Sequence, residues 1–343
     1  MQYLNMLPAE LLNDANAIID RIRGAGKILV AAHLRPDGDA TGSVSGLIKS
    51  LQKAGKSVEA ALFDGVPEKF AFVWPEVRLL REPQINSDHD LIMVLDSGDA
   101  DRTGFTFNRN PKKTCLINID HHASNTMFGD LNYVDTGASA ACEIIAALLE
   151  QAGLPIDADV ALSLMLGLVT DSRFFQNEGL RHTAHLAAAR LLKTGLDTSP
   201  ILNTLNSGRS EADLRVQGFG LCNFRLECNR RLATLVVRQS DLKKIGAAFG
   251  NVYGSGIFNL LLSMGDTFAS VVIFERDDGM SFCEFRSRGG VNVKDVAVSM
   301  GGGGHVPASG CSRAVAIDEL AAEAIEKMKM QVERFYTSPE KSA

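Results

Sequence analysis

KILVAAHLRPDGDATGSVSGLIKSLQKAG, residues 27–55, changes texture twice. After its first lysine, KILVAA is an unbroken apolar run, the pattern of a strand buried on both faces. HLRPDGD then places His33, Asp37 and Asp39 around Pro36 and Gly38, residue types that turn a chain. From ATGS onward, Val44, Leu47, Ile48 and Leu51 recur at i, i+3, i+4 and i+7, one face of a helix closed by Gly55. A buried strand that feeds a helix through a short polar turn is the repeating unit of an α/β fold.

The same alternation continues outward. SVEAALF (57–63), DLIMVLD (90–96) and KTCLINID (113–120) supply further strands, and helical patterns cover roughly 138–153, 157–170 and 182–194. The first half is therefore expected to be α/β, a mostly parallel sheet flanked by helices. In such sheets ligands bind at the carboxyl ends of the strands.

Those ends carry ligand-type residues. His33 follows KILVAA, Asp96 follows LIMVL, and Asp120, His121 and His122 follow CLINI; the helix at 157–170 runs into GLVTDSRFF, with Asp171. Taken alone, HLRPDGD reads as a solvated turn, and His121 with His122 as a pair hydrogen-bonded to backbone. Taken together, Asp37, Asp39, Asp96, Asp120 and Asp171 around one sheet edge would repel one another unless cations neutralised them. Two divalent cations resolve this, and Asp96, at a central strand end, is placed to bridge them. Mixed imidazole and carboxylate ligation suits manganese, cobalt or iron better than magnesium. Mn²⁺ is the expected ion, with Mg²⁺ or Co²⁺ as alternatives. Asp120 reads either as a ligand or as a group that orients His121 or its loop.

A chain of 343 residues suggests two domains, and 45% hydrophobic with 22% charged residues suits two packed cores. The net charge of −6 argues against a protein that clamps long duplex nucleic acid, so small substrates are favoured. The six cysteines show no CxxC spacing, a pattern expected of reduced thiols in the cytosol. MQYLNMLPAELL lacks the basic-then-apolar order of a signal peptide. The apolar run VALSLMLGLV falls short of the roughly 18 residues that a membrane span needs. A cytoplasmic location and no membrane partner are expected.

Past residue 195 turn residues mix with a helical pattern, and 195–222 reads as a linker between a metal-binding domain, 1–194, and a smaller α+β domain, 223–343. In the latter, RLATLVVRQ, FASVVIFER, SFCEFRSR and ASGCSRAVA read as strands, and GIFNLLLSM, VNVKDVAVSM and 318–337 as helices. GGGGH alone reads as a flexible loop. Together with Arg286 and Arg288 of FRSRGG, however, Gly301, Gly302, Gly303, Gly304 and His305 suggest an anion-binding face of backbone N–H groups and cationic donors. The GK[ST] ending of a P-loop is missing, so an NTPase is a poor reading. His182 and His185 share a helix face but read as partly exposed surface.

AHLRPDGDATGS, VLDSGD, NIDHHASN and GLVTDSRFF resemble, in order, the four motifs of the DHH phosphoesterase family. FRSRGG and GGGGHVPASG resemble that family's first type of C-terminal associated domain. The resemblance spans roughly residues 15–315 and is nearest to the oligoribonucleases (nano-RNases) that also act on 3′-phosphoadenosine 5′-phosphate. It implies one metal held by His33, Asp37 and Asp96, and a second held by Asp39, Asp96, His121 and Asp171. His122 would face the substrate phosphate, and Arg102 would add positive charge. The C-terminal domain would close across a cleft and grip the nucleotide through Arg286, Arg288, the glycine run and His305.

Short oligoribonucleotides or nucleotides are the implied substrates, and a homodimer the implied assembly. Ser172 and Pro307 depart from the family pattern. Cyclic or linear dinucleotide messengers such as c-di-AMP, pApA or pGpG stay open as substrates. So does a catalytically silent nucleotide-binding regulator.

Overall fold

In the computed structural model, which describes residues 6–86, 88–177, 179–206 and 208–337, KILVA is a strand inside a parallel sheet. The chain divides into two units, Met1–Ser207 and Gly208–Ala343. The first unit runs α1 (Leu12–Gly24), β1 (Lys27–Ala31), α2 (Gly38–Lys53), β2 (Ser57–Ala61), β3 (Leu79–Leu80), β4 (Gln84–Asn86), β5 (Leu91–Leu95), β6 (Thr106–Asn108), β7 (Cys115–Asp120), β8 (Leu131–Val134), α3 (Ala141–Ala152), α4 (Ala158–Asp171), α5 (His182–Leu192) and α6 (Ser199–Asn206).

Its main sheet has the order β3-β2-β1-β5-β7-β8, with every pairing parallel. Winding reverses between β1 and β5, the switch point at which open α/β sheets bind ligands. Ala31 lies opposite Val94, and Leu95 opposite Ile119, so the ends of β1, β5 and β7 come out level. Alternate strand residues serve two cores. Ile28, Val30, Met93, Leu95, Ile117 and Ile119 pack with side chains of α1 to α5. Leu29, Ala31, Ile92, Val94 and Leu116 pack with Ile85 and Phe105.

The small residues after HLRPDGD are explained by the packing of α2 on α4. A Cβ on Gly42 would lie 2.4 Å from the Ser163 carbonyl oxygen, and one on Gly167 would lie 2.5 Å from Oδ1 of Asp39. No larger residue fits between the two helices at those points. Their close approach sets Asp39, in the first turn of α2, beside the C-terminal end of α4, where Asp171 sits.

The second unit comprises α7 (Glu211–Asn223), β9 (Arg225–Glu227), β10 (Leu232–Val237), α8 (Gln239–Lys244), α9 (Phe249–Gly254), α10 (Ile257–Leu261), β11 (Ala269–Glu275), β12 (Ser281–Ser287), α11 (Val293–Ser299), β13 (Gly303–His305), β14 (Ala308–Arg313) and α12 (Ile317–Thr337). Its sheet, β13-β14-β12-β11-β10-β9, is antiparallel except at β10–β11. One face packs on α11 and α12, the other on α7 to α10. The stretch 195–222 contains α6 and most of α7, the latter opened by a Ser210–Asp213 capping box. The six cysteines are free. Among the described residues, no helix is long and apolar enough to cross a membrane.

Candidate active site

Asp96 closes β5 with its N–H donated to the Ile119 carbonyl at 2.9 Å and its backbone at φ 53°, a left-handed conformation unusual for a residue with a side chain. The surrounding sheet must hold that strain. The buried carboxylate lies between two imidazoles: Oδ2 is 3.5 Å from Nε2 of His33, and Oδ1 is 3.4 Å from Nε2 of His121. Oδ1 is buried with no hydrogen-bond partner. A buried carboxylate oxygen left open costs free energy unless something cationic occupies the space it faces.

On one side of Asp96 stand His33 and Asp37. His33 Nδ1 is 2.7 Å from the Leu34 carbonyl, so Nδ1 carries a proton there and Nε2 is the ring nitrogen that faces inward. Asp37 caps α2, one oxygen accepting from the N–H groups of Asp39 and Ala40 at 2.9 and 3.1 Å. That oxygen is 3.9 Å from Nε2 of His33.

On the other side stand Asp39, His121 and Asp171. Asp39 is buried against the N-terminus of α3 and accepts from Ala141 N–H at 2.5 Å and Cys142 N–H at 2.9 Å. His121 Nδ1 faces the Ala138 carbonyl at 3.3 Å. Its Nε2 is 3.9 Å from Asp39 and 3.5 Å from Asp171. Within each of the sets His33–Asp37–Asp96 and Asp39–His121–Asp171, ligand atoms lie within 4.8 Å of one another, close enough to share an ion.

The electrostatics agree. Burial, with Asp96 nearby, pushes Asp39 well above the usual carboxylate range, and burial raises Asp171 to about 6. Burial alone would lower His33 and His121, but Asp96 outweighs it and lifts them to about 9 and about 10. Burial would likewise raise Asp96, yet the two imidazoles hold it down at about 2. Without a cation, the protonated imidazoles supply the positive charge that keeps Asp96 ionised; the site is built around positive charge.

Asp120 holds the loop after β7: its carboxylate accepts from His122 Nδ1 at 2.7 Å, and its other oxygen accepts from Asn125 Nδ2, also at 2.7 Å. Burial would raise Asp120, but the bond from His122 holds it below the usual range. His122 thus keeps Nε2 free, on a ring about a third exposed. Arg102 is exposed, and its backbone supports the loop that carries His33 and Asp37 by accepting the Leu34 N–H at 2.7 Å.

Residues 27–168 match the sequence profile of the DHH family, N-terminal domain. The first unit carries a DHH domain. Asp171 lies just beyond the matched span. Over 311 residues the chain is 27% identical to a Thermus thermophilus protein named "Bifunctional oligoribonuclease and PAP phosphatase NrnA", covering 90% of this chain and 91% of that one. A Bacillus subtilis protein of the same name is 28% identical over 291 residues, 83% and 88% of the two chains. The crystal structure of an exopolyphosphatase-related protein from Bacteroides fragilis shares the fold, with a TM-score of 0.78 at 22% identity over 94% of this chain and 96% of that one.

Outside the DHH domain, the first two glycines of the run use their N–H groups within the fold. Gly301, at φ 81°, donates to the Val298 carbonyl and Gly302 to the Ala297 carbonyl, closing α11. A Cβ on Gly302 would sit 2.2 Å from the Gly310 carbonyl oxygen. Gly303, Gly304 and His305 form β13 against β14. The glycines therefore cap a helix and admit a strand.

Arg288 donates to the carbonyls of Met264, Gly265 and Thr267, tying down a loop. Arg286 pairs with Glu284 at 2.8 Å, and its guanidinium lies 5.6 Å from the Phe258 ring centre. Pairing across the sheet aligns Arg286, Ala308 and exposed His305 in one row. Tyr253 was not expected here; its exposed ring carries a hydroxyl 3.3 Å from Glu284. An aromatic inside the polar stretch GNVYGSG was its only signal in the sequence.

Proposed function

We propose that the chain is a two-metal phosphodiesterase that hydrolyses very short oligoribonucleotides to mononucleotides and also removes phosphate from 3′-phosphoadenosine 5′-phosphate. The placement of Asp96 between His33 and His121, with one buried oxygen open, carries this reading. The names of the two relatives support the substrate class.

His33, Asp37 and Asp96 would hold one divalent cation, and Asp39, Asp96, His121 and Asp171 the other, with Mn²⁺ preferred and Co²⁺ or Mg²⁺ as alternatives. Bound there, the pair would lower the pKa of an attacking water and neutralise charge that builds on the phosphoryl oxygens. The chain's own groups do the rest. Asp120 accepts from His122 Nδ1–H, and with the ring in its imidazolium form His122 Nε2–H donates its proton to the oxygen that leaves. Arg102 adds positive charge beside the loop that carries His33 and Asp37. In the second unit, Arg286 and His305 contribute cationic and hydrogen-bonding donors for a nucleotide's phosphate.

The test is product analysis of purified protein with Mn²⁺ on four substrates: a 5′-phosphorylated RNA dimer, a long RNA, 3′-phosphoadenosine 5′-phosphate and a cyclic dinucleotide. Mononucleotides from the dimer, phosphate from the bisphosphate and little attack on the long RNA are expected. Preferential turnover of the cyclic dinucleotide would overturn the substrate assignment. Tight nucleotide binding without turnover would point to a silent regulator.

A further inference from the structure

Two residues of the second cation set depend on one segment, residues 135–142, which is the loop after β8 and the start of α3. Its Ala138 carbonyl faces His121 Nδ1 at 3.3 Å, and its Ala141 and Cys142 N–H groups hold the carboxylate of Asp39 at 2.5 and 2.9 Å. The loop thus orients one side chain from the end of β7 and another from the start of α2.

Asp135 organises that loop. Its N–H donates to the Asp120 carbonyl at 3.0 Å, its own carbonyl accepts from Ala138 N–H at 3.0 Å, and its Oδ1 accepts from Gly137 N–H at 3.1 Å. The remaining oxygen, Oδ2, binds the guanidinium of Arg181, which sits at the start of α5. Asp135 is buried, and the side chain of Arg181 is two-thirds covered. The guanidinium lies so close over Gly137 that a Cβ there would come within 2.8 Å of Cζ. Nε of Arg181 is buried without a partner, so satisfying its own donors does not account for its burial. A buried pair of this kind is costly to break from one side, because the other charge stays behind.

We propose that the Arg181–Asp135 pair is a positioning clamp for the second cation site. It holds the 135–142 loop so that Ala138 orients His121 and the start of α3 orients Asp39, without itself touching cation or substrate. The inference rests on the two-cation reading. It is selective, because His33 and Asp37 take their orientation from the Leu34 carbonyl and the first turn of α2, not from this loop. Groups that orient metal ligands from behind typically change affinity by about 10- to 100-fold.

The test is Mn²⁺ titration of chelator-stripped protein by calorimetry, with the wild type, Arg181→Gln and the near-isosteric Asp135→Asn, and with thermal unfolding of each metal-free form alongside. The wild type is expected to bind two ions. Each variant should keep one site near wild-type affinity and weaken the other at least about tenfold, and Arg181→Lys should recover part of the loss. Two unchanged sites in both variants would overturn the clamp. Equal weakening of both sites, in step with a lowered unfolding temperature, would overturn it too by showing a merely structural role. A wild type that binds no second ion would instead contradict the two-cation reading, and the clamp with it.

Discussion

Asp120 fixes the tautomer of His122: its Oδ1 lies 2.7 Å from the imidazole Nδ1, and its other oxygen is held at 2.7 Å by Asn125. The free Nε2 is then the only ring nitrogen able to serve a substrate. His122→Ala should lower kcat on an RNA dimer by about 10²–10⁴-fold, the usual contribution of a general acid, with Mn²⁺ stoichiometry unchanged. Asp120→Asn should lower kcat less. Steady-state kinetics paired with metal titration checks both, and undiminished turnover by His122→Ala would remove it from the chemistry.

Gly42→Ala places a methyl group 2.4 Å from the Ser163 carbonyl oxygen and forces α2 away from α4. Overpacking of this kind costs about 1–3 kcal/mol. Denaturant unfolding should register that loss. Mn²⁺ affinity should fall as well, since the same contact sets Asp39 beside Asp171. Unchanged stability would mean that the helices part without resistance.

Cation uptake should release protons. Without a cation His33 and His121 titrate near 9 and 10, above the unperturbed 6.5, so both are charged at neutral pH, and a bound cation needs them neutral. Their contribution to the stability of the metal-free protein is fully present below 6.5 and is lost as pH rises through 9 to 10. Asp171, raised to about 6, acts in the same direction at lower pH. The unfolding temperature of the stripped protein should therefore fall between about pH 6 and 10, and Mn²⁺ should reverse the fall. Calorimetry in buffers of different ionisation enthalpy measures the released protons directly. A binding enthalpy independent of buffer would contradict this.

Arg286 and Arg288 should separate. Arg286→Ala is expected to raise KM for nucleotide substrates far more than for a small artificial phosphodiester. Arg288→Ala should instead lower the unfolding temperature of the second unit, because its guanidinium ties the carbonyls of Met264, Gly265 and Thr267. Kinetics and thermal unfolding on both variants distinguish these outcomes.

Much of the first unit was legible in the sequence because period and chemistry coincide there: KILVAA runs into His33, LIMVL into Asp96 and CLINI into Asp120, His121 and His122. Other features depend on packing that no local pattern encodes. The partner of Asp120 is set by how the loop after β7 turns, not by spacing. A run of four glycines suggests an anion site, but a helix cap and a close strand approach demand the same residue, so those packing roles show only in the fold. The helix α7 shows in the sequence only as a helical pattern mixed with turn residues, because it exposes Leu214 and Leu221 and so has a weak apolar face. Arg181 and Asp135 are 46 residues apart and meet only in the folded chain.

The most direct test is electron paramagnetic resonance of the stripped protein titrated with Mn²⁺, run beside RNA-dimer hydrolysis, for wild type and Asp96→Ala. A carboxylate shared between two ions should give an exchange-coupled Mn²⁺ pair in the wild type, and Asp96→Ala should lose both the coupled signal and hydrolysis. An uncoupled signal from the wild type, or full hydrolysis by Asp96→Ala, would contradict a centre bridged by Asp96.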